Sequence, residues 1–193
     1  MKIGVLGGTF DPIHNGHLEL ARAAQNQYGL DEIWFVPASI PPHKVSSSDR
    51  ASSKHRFEMV KLAAASEPRF KVSDEELSRE GISYTYDTLQ SFSRKKPEAH
   101  FFLIMGEDAY RDFDGWRNSL KIREIASILV ASRPGQKKAS GSEDSPGVFR
   151  VKMPECGASS RSIRSRIRQK TTEGLEIHPA VLGYILEHKL YGS

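Results

Sequence analysis

The first 37 residues limit the available folds more than any other part of the chain. Lys2 to Leu6 reads as a short buried strand closed by Gly7-Gly8. Gly16 to Tyr28 reads as a helix, with Leu20, Ala23, Ala24 and Gln27 spaced by three and four and Gly29 as its stop. Ile33 to Val36 reads as a second strand ended by Pro37. Strand, helix and strand in that order make a βαβ unit, whose strands run parallel and are joined by a right-handed crossover. The alternation then continues. Helices are predicted over Ser53 to Ala65, Thr85 to Phe92 and around Ile122 to Ile125, and strands over Phe70 to Ser73, His100 to Met105, Ile128 to Ala131 and Val148 to Met153. Ser160 to Lys170 and Pro179 to His188 read as terminal helices, with Pro179 suited to a first turn. Gly135 to Gly147, rich in Gly, Ser, Lys and acids, is predicted to be an exposed, mobile loop. The expected architecture is α/β: a doubly wound parallel sheet with C-terminal helices, in one domain over residues 1–193.

Composition narrows the function. Hydrophobic residues are 38% and charged residues 27%, a soluble globular balance. Lys plus Arg number 28 against 24 for Asp plus Glu, a net charge of +4 that suits a phosphate-bearing ligand without requiring a nucleic acid. Cys156 is the single cysteine, which excludes an intrachain disulfide and a Cys-based metal cluster and points to a reducing compartment, the cytoplasm. No apolar run approaches the ~20 residues needed to span a bilayer, and the N-terminal stretch lacks the pattern of a signal peptide.

The segment Gly7-Gly8-Thr9-Phe10-Asp11-Pro12-Ile13-His14-Asn15-Gly16-His17 joins the first strand to the first helix. In open α/β sheets ligands bind beyond the C-terminal strand ends, where this segment falls. Glycines let a phosphate approach the backbone, and the unpaired N–H groups of a helix start favour anions. His14 and His17, three apart at the helix entry, can share a face and donate to one anion. Alone, such a pair is more often a solvated helix face. As metal ligands the two would lack a marked third partner. Neither G-x-G-x-x-G nor G-x-x-x-x-G-K-[ST] occurs here, which argues against a dinucleotide loop and against a P-loop.

A second anion site is predicted at Ser159-Ser160-Arg161-Ser162-Ile163-Arg164. Ser160 is the expected N-cap, Arg161, Arg164 and Arg168 fall along one face, and Ile163 and Ile167 pack inward. Five basic residues and no acid lie between Ser159 and Lys170, so a solvated basic helix or a nucleic-acid contact is the plainer alternative.

These segments resemble the signatures of the nucleotidylyltransferase superfamily. Gly8 to Pro12 with His14 and His17 is similar to its G-T-F-D-P-x-H-x-x-H motif. Ser159, Ser160, Ile163 and Arg164 match its I-S-S-T-x-I-R motif, with Ala158 and Arg161 departing from it. Further elements resemble the bacterial nicotinate-nucleotide adenylyltransferase family: Pro41-Pro42-His43-Lys44, Ser83 to Leu89, Gly106-Glu107-Asp108 with Trp116, Arg133-Pro134-Gly135 and the tail from Pro179 to Tyr191. The resemblance implies a Rossmann-like fold and adenylyl transfer from ATP to nicotinate mononucleotide. It implies His14 and His17 as catalytic. It places Gly7, Gly8, Thr9, Phe10, Gly106, Asp108, Arg133, Ser159, Ser160 and Arg164 at ATP, and His43, Lys44, Tyr84, Thr85, Trp116 and Arg117 at the acceptor. Thr85 is expected to cap its short helix. Mg²⁺ is expected to bridge phosphates without protein ligands of its own. The partners expected are these two small molecules, with no nucleic acid and no membrane, in a monomer or a homodimer. A sister transferase, acting on phosphopantetheine or using CTP, and a basic nucleic-acid-binding module are the alternatives.

Overall fold

A computed structural model describes residues 1–40, 50–79, 81–132, 146–154 and 156–193. The strands are β1 (Lys2–Gly8), β2 (Glu32–Pro37), β3 (Phe70–Val72), β4 (His100–Gly106), β5 (Ala126–Ser132) and β6 (Val148–Lys152). Between and after them run α1 (Asn15–Tyr28), α2 (Ser53–Ala64), α3 (Thr85–Lys95), α4 (Glu107–Arg111), α5 (Ser119–Ile125), α6 (Ser160–Arg168) and α7 (Pro179–Glu187). Every strand pairing is parallel, and the sheet order is β3-β2-β1-β4-β5-β6. The winding therefore reverses between β1 and β4. That is the switch point at which an open α/β sheet leaves a crevice beyond its strand ends.

The strand pleat sends alternate side chains to two separate cores. On one face Leu6, Ile33, Phe35, Ile104 and Leu129 pack under α1, α2, α6 and α7. On the other, Ile3, Val5, Leu103, Ile128 and Val130 pack against Leu89 and Phe92 of α3 and Ile122 of α5. Gly4 is fixed by sterics: a Cβ there would sit 2.7–2.9 Å from the side-chain tips of Ile33, Ile104 and Leu30. Gly29 ends α1 in the left-handed region at φ 60°, its N–H bonded to the Gln25 carbonyl, a conformation that other side chains resist.

The expected α/β alternation is present, with the strands and helices at the predicted places. The apolar stripe of α1 differs from the one predicted. It runs through Leu18, Leu20, Ala21, Ala24 and Gln25, while Gln27 is exposed. The Gln27 amide is used elsewhere, donating to the Lys152 carbonyl at 2.8 Å and accepting from its N–H at 2.9 Å. It thereby covers backbone groups of β6, the edge strand among the described residues. The five-residue α4 and the 3₁₀ turns at Phe113–Gly115 and Leu190–Gly192 are too short to leave a periodic signal. Most of the predicted loop 135–147 lies outside the described residues.

Candidate active site

A cleft of about 720 Å³ opens over the C-terminal ends of β1 and β4. Gly7 and Gly8 form one lip and Met105 and Gly106 the other, and a Cβ at Gly7 or Gly106 would meet nothing, so a ligand can reach both backbones. His14, Gly16 and His17 at the start of α1 and Gly157 to Ser160 before and at the start of α6 complete that side. Two helix N-termini thus face one cavity, each with the positive end of its dipole. A second cavity of about 700 Å³ shares Ser83, Thr85 and Trp116 with the first and adds Tyr84, Arg111 and Arg117.

The imidazoles are stacked, with ring centroids 3.8 Å apart and planes inclined by 29°. His14 is the N-cap of α1, and its backbone N–H donates to Nδ1 of His17 at 3.2 Å. Burial, and then the neighbouring His14, hold the His17 pKa well below the ordinary histidine value. His17 is therefore neutral near pH 7. With Nδ1 accepting, its proton is on Nε2. Phe10 fixes the ring from beneath, edge-on at 5.0 Å, and packs in turn against Phe35 at 6.0 Å. Phe10 is 2% exposed with φ at 49°, strained for a bulky residue, and it is held there by that packing. A Cβ on Gly8 would lie 2.9 Å from the Phe10 ring, so the second glycine makes room for it.

A buried guanidinium holds the loop in place. Arg56 of α2 is 1% exposed and donates to three carbonyls: Thr9 at 2.7 Å, Ser39 at 3.0 Å and Ala51 at 3.2 Å. It ties the loop after β1 to the loop after β2 and to the entry of α2. The sequence carried a signal for it, because Arg56 falls on the same stripe as Met59, Val60 and Ala63, an arginine where an apolar residue is due.

Other predicted residues are placed as follows. Ser159, not Ser160, is the N-cap of α6. Ser160 is the first helical residue, and its hydroxyl donates to the Pro12 carbonyl at 2.9 Å, joining α6 to the first loop. Arg164 is half-buried; its Nη1 donates to the Asp11 carbonyl at 2.6 Å and lies 3.6 Å from the Asp11 carboxylate, beside the cleft lining rather than in it. Ile163 and Ile167 are buried as expected, and Arg161 and Arg168 are exposed. Tyr84, not Thr85, caps α3; Thr85 opens that helix and faces both cavities. Trp116 is half-buried, shared by both cavities and 5.5 Å from the Phe113 ring. The Arg117 guanidinium lies 4.7 Å over the Tyr84 ring and 3.4 Å from Asp87. Asp108 stands exposed at the cleft edge, 3.5 Å from Arg111. His43, Lys44 and Arg133 lie outside the described residues.

Glu76 is a cleft residue that no motif marked. It is 7% exposed and accepts from Thr88 Oγ1 at 2.8 Å. Burial pushes its carboxyl above the usual carboxylate range, against the opposing hydrogen bonds of Thr88 and Ser83 and the charge of Arg79. Ser83 in turn accepts from the Ser39 N–H at 3.1 Å, so Ser83, a residue of both cavities, fastens their shared wall to the loop after β2. Among the described residues no group of three or more His, Cys, Asp or Glu is placed to hold a metal ion, and no helix is long and apolar enough to cross a membrane.

Stacked imidazoles stand at the switch point of this sheet, and the model of the cytidylyltransferase-like family, which matches residues 5–166, places the chain in a nucleotidylyl-transferring class. Full-length relatives narrow the class. The nicotinate-nucleotide adenylyltransferase of Bacillus subtilis is 40% identical over 192 residues, covering 100% of this chain and 99% of that one. A Thermus thermophilus protein, named as a probable nicotinate-nucleotide adenylyltransferase, is 43% identical over 192 residues, covering 99% and 100%. The chain belongs to the nicotinate-nucleotide adenylyltransferase family. Its fold is shared by Plasmodium falciparum nicotinic acid mononucleotide adenylyltransferase complexed with NaAD, at TM-score 0.82 and 22% identity, covering 98% of this chain and 97% of that one.

Proposed function

We propose that this protein transfers the adenylyl group of ATP to nicotinate mononucleotide, releasing nicotinate adenine dinucleotide and pyrophosphate. The observation that carries this reading is the stacked His14–His17 pair, one ring neutral with its Nε2–H free of the loop, at the mouth of a two-part cleft in a chain of this family. An oxygen of the acceptor phosphate attacks the α-phosphorus of ATP in line. The new P–O bond forms as the bond to the bridging oxygen breaks, and pyrophosphate leaves with the electron pair. The nucleophile is already anionic, so no base and no covalent enzyme intermediate are needed. Catalysis is positioning plus charge stabilisation.

In this reading the amides of Gly7, Gly8, Thr9 and Phe10 and the imidazoles of His14 and His17 hold the α-phosphate. The start of α6 at Ser159 and Ser160, with Arg164, holds the departing pyrophosphate. Gly106, Asp108 and Arg133 belong to the adenosine end. Mg²⁺ fits as a cation carried in on the nucleotide: among the described residues no cluster of three metal-binding side chains forms, and Asp108 is an exposed acid at the cleft edge that would meet the ion through water. When bound, the ion neutralises charge on the triphosphate. The half-buried face of Trp116 suits a positively charged pyridinium ring. Donors beside Thr85, Tyr84 and Arg117 suit the nicotinate carboxylate over an amide. His43 and Lys44 are assigned to the acceptor phosphate.

Pyrophosphate release from a panel of substrates tests the reading. ATP or CTP is offered with nicotinate mononucleotide, nicotinamide mononucleotide or phosphopantetheine. Fast turnover is expected for ATP with nicotinate mononucleotide. Preference for CTP or for phosphopantetheine would assign the chain to a sister activity.

A further inference from the structure

The first loop contains an acid that the reaction does not use. Asp11 is 6% exposed, and its Oδ1 accepts from the Ala51 amide at 3.1 Å and from the Tyr191 hydroxyl at 2.8 Å. Its Oδ2 and its backbone carbonyl face Arg164. Tyr191 stands 180 positions further along the chain, in the C-terminal 3₁₀ turn, and lines neither cavity. Its ring is 9% exposed and packs in the core that α6 and α7 share with α1. Burial and the adjacent Asp11 carboxylate push its hydroxyl pKa far upward, so it remains a donor throughout the neutral range.

Both ends of this contact are strained. Phe10, next to Asp11, has φ at 49°, and Tyr191 itself has φ at 61°. Left-handed backbone at two aromatic residues persists only where the surroundings over-determine it, and such strain gathers where a site must be held in one shape. The same loop is also fixed at Thr9 by Arg56 and at Pro12 by Ser160. The Tyr191 contact lies between those two anchors, three residues before His14.

We propose that Tyr191 is a positioning residue for the transfer: through Asp11 it sets the loop that delivers His14 and His17, which makes the C-terminal tail part of the active-site framework. The inference rests on the adenylyl-transfer reading, and its test is built so that the two can fail separately.

Tyr191→Phe removes one hydroxyl and keeps the ring. The expected result is a kcat lower by about tenfold, since small displacements of catalytic groups are costly. KM for both substrates should change little, because Tyr191 does not touch the cleft. Tyr28→Phe is the matched control. It removes a hydroxyl that donates to the Arg150 carbonyl at 2.7 Å, on the edge-strand side of the molecule. It should lower the unfolding midpoint with kcat unchanged. A second readout needs no turnover: NMR titration of the His17 ring in the resting protein. In Tyr191→Phe the His17 midpoint should move toward the ordinary histidine value, and in Tyr28→Phe it should stay. Asp11→Ala removes the acceptor of the same bond and should repeat the Tyr191→Phe pattern, which covers the case of poor folding in either variant. Wild-type kcat together with an unmoved His17 titration in Tyr191→Phe would reduce the contact to a structural strut and overturn the proposal. A wild-type protein that fails to use nicotinate mononucleotide would sink the adenylyl-transfer reading instead, while the ring titration still decides the role of Tyr191.

Discussion

Because Nδ1 of His17 accepts the His14 amide, the neutral ring offers a single proton from Nε2, and in the proposed transfer it serves as an uncharged donor to a phosphate oxygen. Losing such a donor from a transition state costs roughly 10²–10³ in rate. His17→Ala should therefore lower kcat by at least ~10² with the circular dichroism spectrum unchanged, and near-normal turnover would remove His17 from the chemistry. The depressed pKa also has a stability consequence. The native state binds fewer protons here than the unfolded chain, so the contribution is complete above the ordinary value near 6.5 and is lost as pH falls toward the lower native value. Between about pH 7.5 and about pH 5.5 the urea midpoint of the wild type should fall more than that of His17→Gln. Trp116 belongs to the other half of the cleft. Trp116→Ala should raise the acceptor KM about tenfold, the loss of a stacking and cation–π contact of roughly 1–2 kcal/mol, with KM for ATP nearly unchanged. Initial-rate kinetics with each substrate varied in turn would show it. The motif residues were legible in the sequence because their types and spacing are chemical. Asp11 read as one letter of a motif, and its tie to Tyr191 was not legible, since nothing local links positions 180 apart.

At the scale of elements, the loops of the site are fastened by groups that look ordinary in the sequence. Arg56 is the strongest case. Replacing it with Leu would leave the carbonyls of Thr9, Ser39 and Ala51 without their donor, at about 3–5 kcal/mol, which urea unfolding would measure. A loss below about 1 kcal/mol would mean that water takes over those carbonyls. Helix and strand positions were readable wherever apolar spacing ran for two turns or alternated with clear stops, as in α1 and β4. Caps were less readable. Ser159 and Ser160 are neighbours of the same type, and the hydroxyl of Ser160 is taken by the Pro12 carbonyl of the first loop, a tertiary contact. At α3 the cap is Tyr84, one residue before the expected Thr85, and no side-chain cap bond marks it.

For the whole molecule, the opening βαβ unit predicts parallel strands and a doubly wound sheet, and the strand order is of that kind. The pairing of β4 with β1 follows from no local pattern, yet it creates the switch point, and so the cleft. The two cores, one on each face, hold the sheet rigid beneath it, and the second cavity lies against α3 and the 3₁₀ turn before Trp116. In the proposed transfer, specificity for nucleotide and acceptor is a property of this joined arrangement. A crystal structure with bound ATP tests the arrangement most directly. The α-phosphate is expected against Gly7, Gly8 and the His14–His17 pair, with the outer phosphates turned toward the start of α6. A triphosphate seated away from the β1–β4 cleft, with that loop unoccupied, would contradict it.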